Sequence, residues 1–105
     1  MEISANNIPV HGPVFQRDIA SALRFFVERK GIRAVWLYGS SSRIRPLDWR
    51  SDLDFAVAGL EPGEEYEVWS QLDEILEHQV DLIRLEDANP LLKEEILNGI
   101  LLYEN

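Results

Sequence analysis

The sequence predicts a small α/β domain: a mixed sheet of about four strands with helices packed on one face. Three observations support this. Apolar residues recur at intervals of three and four in two stretches, and capping residues bracket a third helix. Four short runs rich in β-formers alternate with those stretches. Finally, 105 residues leave room for one core and no more. The single domain is read as residues 1–105, with residues 1–13 as an extended or turning lead-in containing Pro9, Gly12 and Pro13.

From Val14, Phe15, Ile19, Ala22, Leu23, Phe26 and Val27 form one apolar helical face. Lys30-Gly31 then stops the helix, with a cation in the last turn and a glycine beyond it. Arg33 to Tyr38 (RAVWLY) reads as a strand delivering the chain to Gly39. Ser40 to Arg45 fits one helical turn before Pro46, and Pro46 to Ser51 a loop. Asp52 to Ala58 (DLDFAVA) is the second strand, and Leu60 to Glu65 a turn around Pro62-Gly63.

Tyr66 to His78 returns to helical spacing through Trp69, Leu72, Ile75 and Leu76, and Gln79 to Leu85 (QVDLIRL) is the third strand. Asn89-Pro90 supplies an N-cap and a first-turn proline for a helix to about Leu97. Asn98-Gly99 ends it, and Ile100 to Tyr103 (ILLY) makes a fourth, edge strand.

The balance of 19 acidic against 10 basic residues, a formal charge of −9, argues against a nucleic-acid phosphate surface as target. It fits solubility, or a basic protein partner whose opposite field speeds encounter. The chain has no cysteine, which removes disulfides and thiolate metal sites. Neither a leader pattern nor a membrane-length apolar run is visible, so the cytoplasm is the default location.

The segment from Leu37 to Val57, LYGSSSRIRPLDWRSDLDFAV, carries the chemistry. Side chains alternate across a strand, which puts Asp52 and Asp54 on one face and Leu53, Phe55 and Val57 on the other. The apolar set must face the helices, leaving the carboxylates on the opposite, open face. Two residues along a strand span roughly 6–7 Å, and the carboxylate tips can then converge on two divalent ions about 3.5–4 Å apart. Asp81, in the next strand, adds a third carboxylate. Three such charges repel and raise one another's pKa values. Mg²⁺ relieves this with hard oxygen ligation while keeping waters for substrate phosphates.

Gly39-Ser40 precedes a helix start, where glycine admits close backbone approach and free N–H groups attract phosphate. Ser40 offers a hydroxyl and Arg43 a charge for a leaving pyrophosphate. Each feature alone is common, and the combination at this spacing is what carries weight. Asp48, Arg50 and Arg45 read as solvated charges in the loop, Trp36 as core and Trp49 as a cover over the core. His11 and His78 receive no role, and Tyr103 lies in a tail that is either tucked or free to pair.

Together, Gly39, Ser40, Asp52, Asp54 and Asp81 resemble the motif set of the polymerase-β-like nucleotidyltransferase superfamily. The endings SDLDFAV and VDLI and the short length look most like the minimal nucleotidyltransferases, including antitoxins of HEPN–MNT toxin–antitoxin modules. The resemblance runs from about Phe15 to Tyr103. It implies that Asp52 and Asp54 bind two Mg²⁺ ions and that Asp81 binds the catalytic one and helps activate an acceptor hydroxyl. An in-line attack on the α-phosphate of ATP then releases pyrophosphate.

For the antitoxin subgroup, the resemblance implies AMP transfer onto a tyrosine of a partner HEPN ribonuclease. Relatives read Gly-Ser-x-Ala-Arg-Gly where this chain has Gly39-Ser40-Ser41-Ser42-Arg43-Ile44, so Ile44 stands in place of the second glycine. Two other functions stay open: neutralising a basic partner by occlusion, and nucleotidyl transfer to a small molecule. The second is disfavoured because the chain has no residues for an additional helical domain.

Overall fold

The computed structural model describes residues 13–39 and 52–105. The three helices and four strands expected within them are present, while the helical turn expected at Ser40 to Arg45, the loop after it and nearly all of the lead-in lie outside the described residues. Helix α1 (Pro13–Val27) leads into β1 (Ala34–Tyr38), and β2 (Leu53–Ala58) into α2 (Glu64–Ile75). Then come β3 (Val80–Arg84), a 3₁₀ turn (Leu85–Asp87), α3 (Pro90–Leu97) and β4 (Ile100–Glu104). The four strands form one mixed sheet in the order β3-β2-β1-β4. β1 runs antiparallel to both β2 and β4, while β2 and β3 are parallel, joined by the α2 crossover.

The period-2 pattern decides which face is buried. Val35, Leu37, Leu53, Phe55, Val57, Val80 and Leu82 point to one side, into the main core. There they meet Phe15, Ile19, Ala22, Leu23 and Phe26 of α1 and Val68 and Leu72 of α2. Phe26 packs edge-on against Phe55, with ring centroids 5.8 Å apart. Apolar burial of this kind is the main favourable contribution to the fold.

The expected placement of helices on one face holds for α1 and α2. The short α3 covers part of the other face, where Tyr38, Ala56 and Ile96 form a smaller buried patch flanked by Trp36, Ile83 and Leu92. The alternate residues of β1 to β3 are themselves apolar enough to need this cover. Trp36, expected in the core, is therefore partly buried in the second patch.

The phase of α2 differs from the reading through Trp69, Leu72, Ile75 and Leu76. Val68, Leu72 and Leu76 face the core, whereas Trp69 and Ile75 are exposed. The helix also stops before His78. The backbone N–H groups of Glu77 and His78 donate to the Asp18 carboxylate on α1 rather than to helix carbonyls. His78 also presents its ring Nδ1 to Asp18 Oδ2 at 2.7 Å, and both side chains are buried. At the last helix the sequence signals hold: Asn89 Oδ1 accepts from Leu92 N at 2.8 Å, with Pro90 in the first turn.

Candidate active site

β2 and β3 set the positions of the acidic residues. Their parallel register makes Asp54 and Asp81 direct neighbours, and the antiparallel register with β1 places Tyr38 on the other side of Asp54. Asp81, Asp54 and Tyr38 therefore form a row across three strands spaced about 4.8 Å apart, on the face opposite the main core. Asp52 stands one residue before β2 and is exposed, as is Asp81, while Asp54 is half-buried. The face bearing the carboxylates is open toward Asp52 and bounded by α3 on the far side.

Electrostatics marks the row as strained. The Asp54 carboxyl is pushed up to about 6, first by burial and then by the charges of Asp81, Asp52 and Glu95. The Tyr38 hydroxyl is pushed up to about 12 by burial and by Asp54, Asp81 and Glu95. Tyr38, placed by the register of β1, and Glu95, carried by α3, escape sequence reasoning. Tyr38 reads as the end of an apolar strand, and Glu95 as one charge among several on a short helix.

Gly39 follows β1 with φ of +71°, and a Cβ there would lie 2.5 Å from Asp54 Oδ2. The glycine thus serves both the backbone conformation and the space the carboxylate occupies. Ser40 and Arg43 lie outside the described residues, as do His11, Ile44, Arg45, Asp48, Trp49 and Arg50.

Among the described residues, no three His, Asp or Glu side chains converge as a ready set of metal ligands. Asp81 has a protein partner instead: its Oδ1 accepts from Leu82 N at 3.1 Å. The chemistry of the donor set nevertheless fits a hard divalent cation: Asp54 and Asp81 are paired on neighbouring strands with Asp52 just before β2, and burial together with the charges of Asp81 and Asp52 disfavours ionisation of Asp54.

The row of carboxylates on adjacent strands behind a glycine turn, on a four-stranded mixed sheet, defines a nucleotidyltransferase-type domain. The family model for "Polymerase beta, Nucleotidyltransferase" matches residues 21–105, and the chain belongs to that family. A search of curated protein sequences gives no match.

Among solved structures, the fold is similar to a chain of the tri-AMPylated Shewanella oneidensis HEPN toxin in complex with MNT antitoxin. The TM-score is 0.68 at 21% identity, over 87% of this chain and 73% of that one. A toxin–antitoxin structure with AMP-PNP gives a TM-score of 0.67 at 24% identity, over 86% and 73% of the two chains. A structure designated a minimal nucleotidyltransferase gives 0.64 at 26% identity, over 81% and 88%.

Proposed function

We propose that this nucleotidyltransferase transfers AMP from ATP to a tyrosine hydroxyl of a HEPN-type ribonuclease in the cytoplasm, and so acts as its antitoxin. The observation that carries the reading is the registered pair Asp54 and Asp81 on adjacent strands, with Asp52 at the mouth of the site, in a chain of this family. The MNT–HEPN complex among the similar folds supports the choice of partner, and the AMP-PNP complex supports the choice of nucleotide.

In this mechanism Asp52, Asp54 and Asp81 would hold two Mg²⁺ ions. When bound, these neutralise charge on the triphosphate and make the acceptor hydroxyl more acidic. Gly39 leaves the Asp54 carboxylate room beside the backbone, and the adjoining Ser40 and Arg43 are assigned to the phosphates. The acceptor oxygen forms a bond to the α-phosphorus, the α–β bridging P–O bond breaks, and pyrophosphate leaves. Asp81, the more exposed member of the pair, takes the hydroxyl proton on its way to solvent. Positioning and charge neutralisation supply most of the rate.

The formal charge of −9 supports a second reading, in which the chain neutralises a basic partner by occlusion alone. Intact-mass measurement after incubation with ATP, Mg²⁺ and the protein encoded next to it separates the two. A gain of one or more AMP units on the partner, abolished by Asp52→Asn, supports transfer. Tight binding with no mass gain leaves occlusion.

A further inference from the structure

Two clefts run side by side along the outer edge of β3. One, about 460 Å³, is lined by Asp52, Trp69, Asp73, Gln79, Val80 and Asp81. The other, about 290 Å³, is lined by Glu65, Tyr66, Trp69, Asp81 and Leu82. They share Trp69 and Asp81, so together they form a groove leading from α2 to the carboxylates of the site.

Among the described residues, four carboxylates and no cationic side chain line the groove. Its aromatic walls face solvent: Trp69 is 42% and Tyr66 76% exposed. The Glu65 Oε1 atom is buried and has no hydrogen-bond donor among the described residues, although the Arg84 charge is close enough to be felt. A buried carboxylate oxygen without a donor is costly, and by turning its carboxylate into the smaller cleft Glu65 would gain one from a guanidinium or ammonium group there.

Two of the outward-facing backbone groups on the edge of β3 are already taken, which hinders strand addition. Trp69 Nε1 donates to Val80 O at 2.6 Å, and Asp81 Oδ1 holds Leu82 N. An occupant is therefore better held through its side chains than by extending the sheet.

We infer that this groove docks the acceptor: a cationic polypeptide segment whose arginine or lysine fills the Glu65 cleft. Trp69 and Tyr66 grip the segment through cation–π and apolar contact, and its hydroxyl side chain is directed toward Asp81 and Asp52. The inference rests on the transfer reading for what happens next, but docking is measurable without it. The groove also gives the net negative charge a local use.

The test uses the full chain, ¹⁵N-labelled, titrated with a synthetic peptide in which arginines flank one tyrosine. A second peptide has glutamates in place of the arginines. The expected result is a saturable shift of the Trp69 indole N–H and of the Glu65 and Asp73 amides with the arginine peptide only. Binding should weaken as salt rises, because the charges are partly exposed.

Glu65→Gln and Asp73→Lys, both checked for unchanged circular dichroism, should each weaken the arginine peptide by about tenfold. Shifts elsewhere on the protein, equal binding of the glutamate peptide, or unchanged affinity in both variants would overturn the groove. The transfer reading fails separately: docking intact, but no AMP added to the neighbouring gene's product.

Discussion

Replacing Asp18 by alanine removes an acceptor that three donors share. The Glu77 N–H lies 3.1 Å from each carboxylate oxygen, the His78 N–H lies 2.9 Å from Oδ2, and the His78 ring Nδ1 lies 2.7 Å from the same oxygen. Asp18 is only 2% exposed, so water does not replace what is lost. Breaking a buried, hydrogen-bonded pair from one side costs about 3–5 kcal/mol, because the remaining partners stay desolvated and unpaired.

Against a total stability of roughly 5–15 kcal/mol for a domain of this size, that is a large fraction. At about 4–8 °C per kcal/mol, the melting temperature should fall by roughly 15 °C or more. Calorimetry or circular dichroism melts on the metal-free protein would measure it, with Asp18→Asn, which keeps one acceptor oxygen, falling between alanine and wild type. A drop of under about 4 °C for Asp18→Ala, equivalent to about 1 kcal/mol or less, would refute the reasoning. It would mean that the loop repacks and finds other acceptors.

Other outcomes follow from the carboxylate row. The Asp54 carboxyl sits at about 6 in the fold, above its ordinary 3.8. The folded state therefore binds more protons than the unfolded chain between these values, and in EDTA stability should fall as pH rises from about 4 to about 6, then level off. Asp54→Asn should flatten that dependence in thermal melts, and should also abolish both AMP transfer and the stabilisation wild type gains from added Mg²⁺.

Gly39→Ala places a methyl group against Asp54 Oδ2 at a positive φ. Transfer should drop by about 100-fold or more, while stability falls by only about 1–2 kcal/mol, as read by initial rates and melts. Trp69→Phe keeps a ring but frees the Val80 carbonyl on the β3 edge. A loss of about 1 kcal/mol is expected, with concentration-dependent association by light scattering where the edge is exposed.

Much of the fold was legible because its signals are local. Alternation in DLDFAVA put Leu53, Phe55 and Val57 against the helices, and they lie there. Asn89-Pro90 and Asn98-Gly99 bracketed the last helix for capping reasons that depend on a few neighbours.

The misreadings depend on residues distant in sequence. The phase of α2 turned on whether Val68 or Trp69 met the core, and Trp69 instead crosses to the edge of β3. Asp18 and His78, 60 positions apart, form a buried pair that no periodicity reports. In the candidate site, the three aspartates could be picked out as carboxylates set in apolar strands. That Tyr38, Asp54 and Asp81 stand side by side is a property of register, and Glu95 joins them only through the packing of α3.

The parallel pairing of β2 with β3 also governs where the chain can change length. Asp54 and Asp81 are opposite only because the crossover ends at a fixed residue, and Asp18 fixes that end by gripping Glu77 and His78 just before β3 begins. Adding or removing one residue between His78 and Asp81 would carry Asp81 to the core face and bring an apolar neighbour to the carboxylates. The turn at residues 61–63, on the other side of α2, sets no strand register: Glu61, Pro62 and Gly63 are exposed, with open space beside Gly63. Insertions are thus expected to accumulate before the crossover helix and to be excluded after it.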